Sequence, residues 1–217
     1  MKVIKIQYTI GYYHMLSFAD NYKKIINPFF TQPNLSYQIE NEFTLEENIR
    51  LIFKDFDTII QCRKDGMTMV FQGDEKEFVS EATNVREFFS ILETIQKHEM
   101  FTKVMFHEVQ VMLFDDKNIA VGDYLKYSPN NNITEFLCNY HFDKEDYNCN
   151  LNFGNFIPND IKKHNLFLFK NETTDKLATK TEGALVDFRA KEITTTPSMN
   201  KLKNLLKFVI KESEKIL

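Results

Sequence analysis

Two stretches of this 217-residue chain share the same order of elements. Each opens with a long strand of alternating polar and apolar residues, passes through a short helix and further strands, and ends on an amphipathic helix. The closing helices are expected at about 84–98 and 197–216. An antiparallel sheet needs cover on its apolar face, and amphipathic helices provide it. We therefore predict an α+β fold, an antiparallel sheet with helices mainly on one face, in pseudo-repeated halves (1–99 and 100–217) of one compact unit.

The strand predictions depend on period-two alternation. In the first strand Ile4, Ile6, Tyr8 and Ile10 share one parity, and Lys5, Gln7 and Thr9 share the other. The same pattern predicts strands at 104–114, 147–153 and 184–191, and apolar runs predict strands at 48–53, 58–62 and 67–71. The Asp65-Gly66 pair predicts a tight turn between the last two of these.

Helical spacing and cap signals locate the helices. Apolar residues from Phe18 to Phe29 recur at helical spacing, and Asn27-Pro28 ends that helix. Thr83 or Asn84 is the expected N-cap of the first closing helix, and Thr196-Pro197 the expected N-cap and first turn of the second. We also expect a turn at 128–132, a short helix at about 133–137 and a buried strand at 166–169. The duplicated order is similar to the topology of the TATA-binding-protein fold, and single-copy helix-grip domains offer a second analogy. Both resemblances concern fold alone.

Composition argues against nucleic acid and membranes as partners. The net charge is −4, the isoelectric point is about 5.8 and only four residues are arginine, whereas nucleic-acid binders are typically basic and rich in arginine. No apolar run is long enough to cross a bilayer. The N-terminus alternates like a strand instead of forming a signal peptide, and three cysteines without close spacing suit a reducing compartment. We therefore expect a cytoplasmic protein.

Motifs of catalysis and cofactor binding are missing from the sequence. It contains no P-loop, no dinucleotide-binding glycine pattern and no nucleophile elbow. We therefore predict no enzyme activity, no cofactor and no metal.

Three groups of ionisable residues were considered as sites. His107 and Glu108 are adjacent on a strand, so they point to opposite faces, and His107 falls on the apolar parity of a core residue. Tyr140 to Asp146 gathers one histidine and three carboxylates, but its spacing matches no metal motif and we interpret it as a polar loop. His98-Glu99 is interpreted as a histidine at a helix C-terminus beside an acidic loop residue, because the helix macrodipole favours histidine at that end.

A further pattern predicts a polar face. Asp187, Arg189 and Lys191 share one parity, but the acid that nucleases carry two residues before the lysine is here Arg189. A cross-strand charge ladder is therefore expected. With three alternating asparagines they form a candidate binding face: Asn148, Asn150, Asn152, Asp187, Arg189 and Lys191.

The function predicted from these observations is binding without catalysis. We expect a cytoplasmic binding or regulatory protein that acts through a protein partner, of the kind that phages and mobile elements carry. The alternative is a carrier or sensor of a small apolar ligand, with a Phe-lined cavity between the sheet and the C-terminal helix. A third possibility is an enzyme with an unfamiliar site built from His107, His141 or Asp187. The lysines of the C-terminal helix are interpreted as solvated, and its apolar stripe as core. The oligomeric state is left open.

Overall fold

A computed structural model describes residues 2–31, 35–42, 44, 46–73, 78, 82–98, 101, 103–117, 137–155 and 183–216. Within these residues nine strands form one antiparallel sheet, and three α-helices accompany it. The mostly antiparallel α+β architecture expected from the alternating segments is confirmed.

The elements follow the chain in this order. The strands are β1 (Lys2–Tyr12), β2 (Leu35–Glu40), β3 (Asn48–Phe53), β4 (Thr58–Arg63), β5 (Gly66–Phe71), β6 (Val104–Asp115), β7 (Leu137–Lys144), β8 (Tyr147–Asn155) and β9 (Ala184–Ile193). The helices are α1 (Phe18–Ile26), α2 (Ala82–Gln96) and α3 (Met199–Ser213). Short 3-10 turns follow α1 at Asn27–Thr31 and β3 at Lys54–Phe56.

The two longest strands, β1 and β6, lie side by side inside the sheet, whose order is β2-β3-β4-β5-β1-β6-β9-β8-β7. Ten residues of β1 pair with β6, with a bulge between Val3 and Lys5. The β4–β5 hairpin closes between Arg63 and Gly66 across the two residues Lys64 and Asp65, as the Asp-Gly signal predicts. Among the strands that the structure describes, β2 and β7 lie at the edges.

One face of the sheet forms the hydrophobic core. On β1 this face carries Ile6, Tyr8 and Ile10, all fully buried, and their partners on β6 are Val111, Val109 and His107. The Phe88 ring of α2 packs on Tyr8 with ring centroids 5.4 Å apart. The Phe208 ring of α3 packs on Phe188 of β9 and on Tyr147 of β8. The buried residues of α1, α2 and α3 belong to a single core cluster with this face of the sheet.

The boundaries of two helices differ from the sequence prediction. Helix α2 starts at Ala82, so Asn84 lies inside the helix, where its side chain donates to the Thr58 hydroxyl at 2.8 Å. Helix α3 starts at Met199 after Ser198, whose hydroxyl accepts a hydrogen bond from the Lys201 amide at 3.3 Å. The prediction of Thr196 as its N-cap was wrong, because Ser198 has the extended backbone that a cap requires.

The segment from Tyr140 to Asp146 is not a polar loop. Residues 137–144 form strand β7, and only Glu145 and Asp146 connect it to β8. Leu137 therefore begins a strand and does not belong to a helix. The polar appearance of this segment has a physical cause, since it is an edge strand whose side chains are largely exposed. The expected turn at 128–132, most of the short helix at 133–137 and the strand at 166–169 lie outside the described residues.

Candidate binding face

The predicted polar residues meet on the face of the sheet opposite the helices. Register pairs Asn148 with Lys191, Asn150 with Arg189, and Asn152 with Asp187. Side chains of directly paired residues lie on the same face, so all six residues form one surface. The structure therefore places the six residues on one face, and their role in binding stays a prediction.

The polar face continues beyond these six residues. On the β7 side the asparagines pair with Asp143, His141 and Asn139. On the other side Glu108, Gln110 and Met112 of β6 pair with the three charged residues of β9. Strand β1 then adds Thr9, Gln7 and Lys5. The result is a band five strands wide, in which most side chains are amides or charges of either sign.

Side-chain hydrogen bonds within and between strands β7 and β8 order the amides of this band. The Asn148 amide donates to Asp143 Oδ1 at 2.9 Å, and the Asn139 amide donates to Asn152 Oδ1. Asn152 in turn donates to Asn150 Oδ1 at 3.4 Å. These bonds fix the direction in which each amide presents its remaining donors and acceptors.

Asp187 is held by two neighbouring side chains of the band. Gln110 Nε2 donates to its Oδ1 at 2.7 Å, and an Arg189 guanidinium nitrogen lies 3.6 Å from its Oδ2. The side chain of Arg189 is 44% exposed, whereas that of Asp187 is 18% exposed. Arg189 is therefore oriented by a half-buried carboxylate and available to a binding partner.

Lys191 contacts an aromatic ring of the neighbouring strand β6. The ammonium of Lys191 lies 3.9 Å from the centroid of the Phe106 ring, a cation–π contact. The same ring lies over Gly11, where an added Cβ would approach Phe106 Cε1 to 2.2 Å. A side chain at this position would overlap the Phe106 ring, so glycine leaves room for the ring that contacts Lys191.

Burial shifts the pKa values of two charged residues on the β1–β6 side of the band. It lowers the pKa of Lys5, against the effect of Asp187, and it raises the pKa of Glu108 against the attraction of Arg189 and Lys191. Desolvation thus outweighs attraction at both positions, so both charges are held at a cost in stability.

Replacing Glu108 with glutamine is accordingly expected to stabilise the protein at neutral pH, by up to about 1 kcal/mol. Because the pKa of Glu108 is raised on folding, its ionised form costs stability at pH values above that raised pKa. The cost disappears below the ordinary pKa of about 4.3. Thermal unfolding of both proteins at pH 4 and pH 8 measures this difference. A glutamine variant that is less stable at pH 8 would contradict the prediction.

A separate polar network lies on the helix face. His107 is fully buried, its Nδ1 lies 3.0 Å from the Tyr8 hydroxyl, and its Nε2 lies 2.7 Å from Glu192 Oε2. Glu192 Oε1 accepts a hydrogen bond from Lys201 Nζ at 3.1 Å, and the same ammonium donates to Thr194 at 2.6 Å. The network joins β1, β6 and β9 to the first turn of α3.

The partners of His107 determine its protonation. A carboxylate only accepts, so Nε2 carries the proton toward Glu192, and Tyr8 donates to the unprotonated Nδ1. Burial lowers the pKa of His107 in spite of the Glu192 carboxylate, which favours this neutral form. Both ring nitrogens of this buried imidazole therefore have hydrogen-bond partners.

The other residues considered as sites are not brought together. Asp187 and His141 lie on the polar face, whereas His107 lies on the helix face, so these three residues share no site. His107 and Glu108 point to opposite faces, as expected for strand neighbours. His98 follows the end of α2, as its interpretation as a helix-terminal residue requires, and Glu99 lies outside the described residues.

Two buried cysteines and the acidic hairpin were also compared with known kinds of site. Burial raises the pKa of the Cys62 thiol to about 12 and that of Cys149 to about 11, which suppresses their thiolate forms. At the β7–β8 hairpin, Asp143, Glu145 and Asp146 border an open depression of about 460 Å³ that Lys191 and Ile193 also line. Over the described ranges, no three His, Cys, Asp or Glu side chains are placed to hold a metal ion.

Sequence reasoning missed several residues of both polar assemblies. Asn139, His141 and Asp143 join the polar face only because β7 pairs with β8. Tyr8, Glu192 and Lys201 join His107 only through the tertiary structure, since 99 residues separate Tyr8 from His107. The alternation of Cys138, Tyr140 and Phe142 with polar residues is the one signal that could have revealed β7.

Comparisons with protein families, with curated proteins and with solved structures found no match to this chain. In the part of the chain that the structure describes, no helix has the length and apolar character needed to cross a membrane.

Proposed function

We propose that this protein is a non-catalytic binding or regulatory protein that engages a protein partner in the cytoplasm through the polar face of its sheet. The observation that carries the proposal is the continuous band of ordered amides and charges across β1, β6, β9, β8 and β7. Protein interfaces use such donors and acceptors for specificity, with arginine among their most frequent energetic centres.

Exposed apolar side chains beside the band support a protein partner. Ile193, at the end of β9, is 78% exposed, and Leu137, at the start of β7, is 79% exposed. Both lie on the polar face by register, since Ile193 pairs with Phe106 and Leu137 with Gly154. A polar centre with apolar groups at its margin offers a partner both directional bonds and buried area.

The chemistry of the described residues supports binding over catalysis. His107 is buried in the core with both ring nitrogens hydrogen-bonded, and the two buried thiols have raised pKa values.

The alternative of an apolar carrier stays a prediction without an observation in its favour. Leu202, Leu205, Leu206 and Val209 of α3 are almost fully buried where a cavity against the sheet was expected. The setting on a phage or mobile element also stays a prediction.

We further infer that residues 1–99 and 100–217 are two pseudo-repeated halves. The sheet order supports this inference. Outward from the centre, β1 is followed by β5, β4, β3 and β2, and β6 is followed by β9, β8 and β7. In each half the first strand lies at the centre and the last strand lies beside it.

The test of the proposed function is affinity purification from the native host, followed by native mass spectrometry. We expect a co-purifying protein at fixed stoichiometry. Replacing Arg189 with glutamate is expected to weaken its binding at least about tenfold, which corresponds to about 1.4 kcal/mol. The matched control is Lys211→Glu, the same charge change at an exposed position of α3.

Two outcomes would count against the proposal. One is a partner that binds the Arg189→Glu variant as tightly as the wild type. The other is a partner that the Lys211→Glu control loses equally, because binding would then depend on overall charge. Circular dichroism of each variant establishes that the fold is retained.

A further inference from the structure

The outer side of β7 is an unpaired sheet edge among the described residues. Strand β7 is eight residues long, lies at the end of the sheet order, and contains no proline. Asn139, Tyr140, His141 and Asp143 are all exposed along it. An exposed strand of this length presents a row of backbone donors and acceptors to another chain.

Hairpin geometry identifies the backbone groups on that edge. Lys144 pairs with Tyr147 across the two-residue connection, and such a closing pair exchanges both of its backbone hydrogen bonds. Alternation along β7 then directs the backbone groups of Phe142, Tyr140 and Cys138 toward β8. Those of Leu137, Asn139, His141 and Asp143 point outward, and their side chains lie on the polar face.

The edge is complementary to itself when two copies run antiparallel. A two-fold axis at His141 sets His141 against His141 of the other copy and Asn139 against Asp143, all with outward backbone groups. Asp143 already accepts from Asn148 through Oδ1, so its Oδ2 can accept from the Asn139 amide of a second copy. The same register sets Tyr140 against Phe142 on the helix face.

Aromatic packing on the helix face favours the same arrangement. The Tyr140 ring stacks on Phe153 at 5.9 Å, and the Phe142 ring lies 6.1 Å from Phe188. Tyr140 is 47% exposed. A second copy would cover this ring with its own Phe142, and cross-strand aromatic pairs stabilise sheets.

We propose that two copies of this chain pair through β7, joining their sheets into one antiparallel sheet with the register centred on His141. The polar faces of the two copies then form one continuous surface, because the pleat carries the parity of β7 across the axis. This inference stands independently of the partner proposed above.

The first test is sedimentation equilibrium of the full chain over a range of concentrations. The wild type is expected to dimerise. His141→Pro removes an outward N–H and leaves the bonds to β8 intact, so it is expected to weaken dimerisation at least about tenfold. The matched control, His141→Ala, keeps the N–H and is expected to dimerise like the wild type.

The second test exchanges the residues at positions 139 and 143, which face each other in the proposed dimer. It reports the register of the two β7 strands and needs no proline substitution. Asn139→Asp sets two carboxylates against each other twice in the dimer and is expected to weaken it. The double variant Asn139→Asp/Asp143→Asn restores one amide and one carboxylate in each pair and is expected to recover the dimer.

A wild type that stays monomeric at every concentration would overturn the proposal, as would a dimer that His141→Pro leaves unchanged. A double variant that dimerises no more tightly than Asn139→Asp would overturn the register centred on His141. None of these results depends on Arg189, so failure here is distinguishable from failure of the proposed function.

Discussion

Replacement of Phe88 with alanine is expected to lower the free energy of unfolding by about 3–5 kcal/mol. The Phe88 side chain is fully buried, and its ring lies 5.4 Å from that of Tyr8 and 5.7 Å from that of Phe89. Its loss removes apolar burial and leaves a cavity between α2 and the central strand β1. Chemical denaturation followed by circular dichroism measures the change.

The neighbouring residue supplies a matched control for this prediction. Phe89 is only partly buried and lies 6.1 Å from Tyr8. Phe89→Ala deletes the same atoms from a site that water reaches, so we expect a loss of no more than about half that of Phe88→Ala. Equal losses of unfolding free energy in the two variants would contradict the prediction that Phe88 is the more important contact between α2 and the sheet.

Replacement of His107 with leucine is expected to cost about 1–3 kcal/mol at pH 7, although leucine suits an apolar core. The substitution leaves the buried Tyr8 hydroxyl without its acceptor, and Glu192 keeps only Lys201. The double variant Tyr8→Phe/His107→Leu is expected to recover part of the loss, because no buried hydroxyl is then left unpaired. A double variant less stable than His107→Leu alone would contradict this account.

The pH dependence of stability provides a second readout of His107. Because burial lowers the pKa of the folded imidazole, the unfolded chain binds a proton first as the pH falls. The contribution of neutral His107 is present above the ordinary pKa of about 6.5 and is lost as the pH falls toward the lowered value, by up to about 1.4 kcal/mol per pH unit.

The leucine variant is expected to lose this dependence between pH 6.5 and the lowered pKa. Glu192 acts in a lower range, because its pKa is lowered by His107 and Lys201 against the effect of burial. Its contribution is present above about pH 4.3 and is lost below that value. Denaturation curves at several pH values therefore separate the two groups. An unchanged slope in the leucine variant near pH 6 would show that His107 does not titrate there.

Local pattern determined most of the strands and the approximate helix positions. Alternation in β1, β6, β8 and β9 predicted both their existence and the face that each residue occupies. The Asp65-Gly66 pair predicted the β4–β5 turn. These predictions succeeded because side chains alternate in every strand and because a two-residue turn restricts backbone geometry locally.

Edge strands and helix caps were less accessible to the same reasoning. Strand β7 looked like a loop because most of its side chains are exposed to solvent, so polar residues occupy both of its faces. Strand β2, the other edge, is also mostly exposed or half-buried, and no pattern predicted it. Ser198 competed with Thr196 as a cap, and the choice depends on where the backbone leaves β9.

By itself the sequence determined an antiparallel α+β architecture, a core-facing His107 and a shared parity for the six residues of the polar face. Only the tertiary structure decided the strand order, which unites those residues with β1, β6 and β7 in one band. It also decided the partners of His107. The physical reason is that parity is a local property of one strand, whereas register and strand order depend on contacts between residues far apart in the chain.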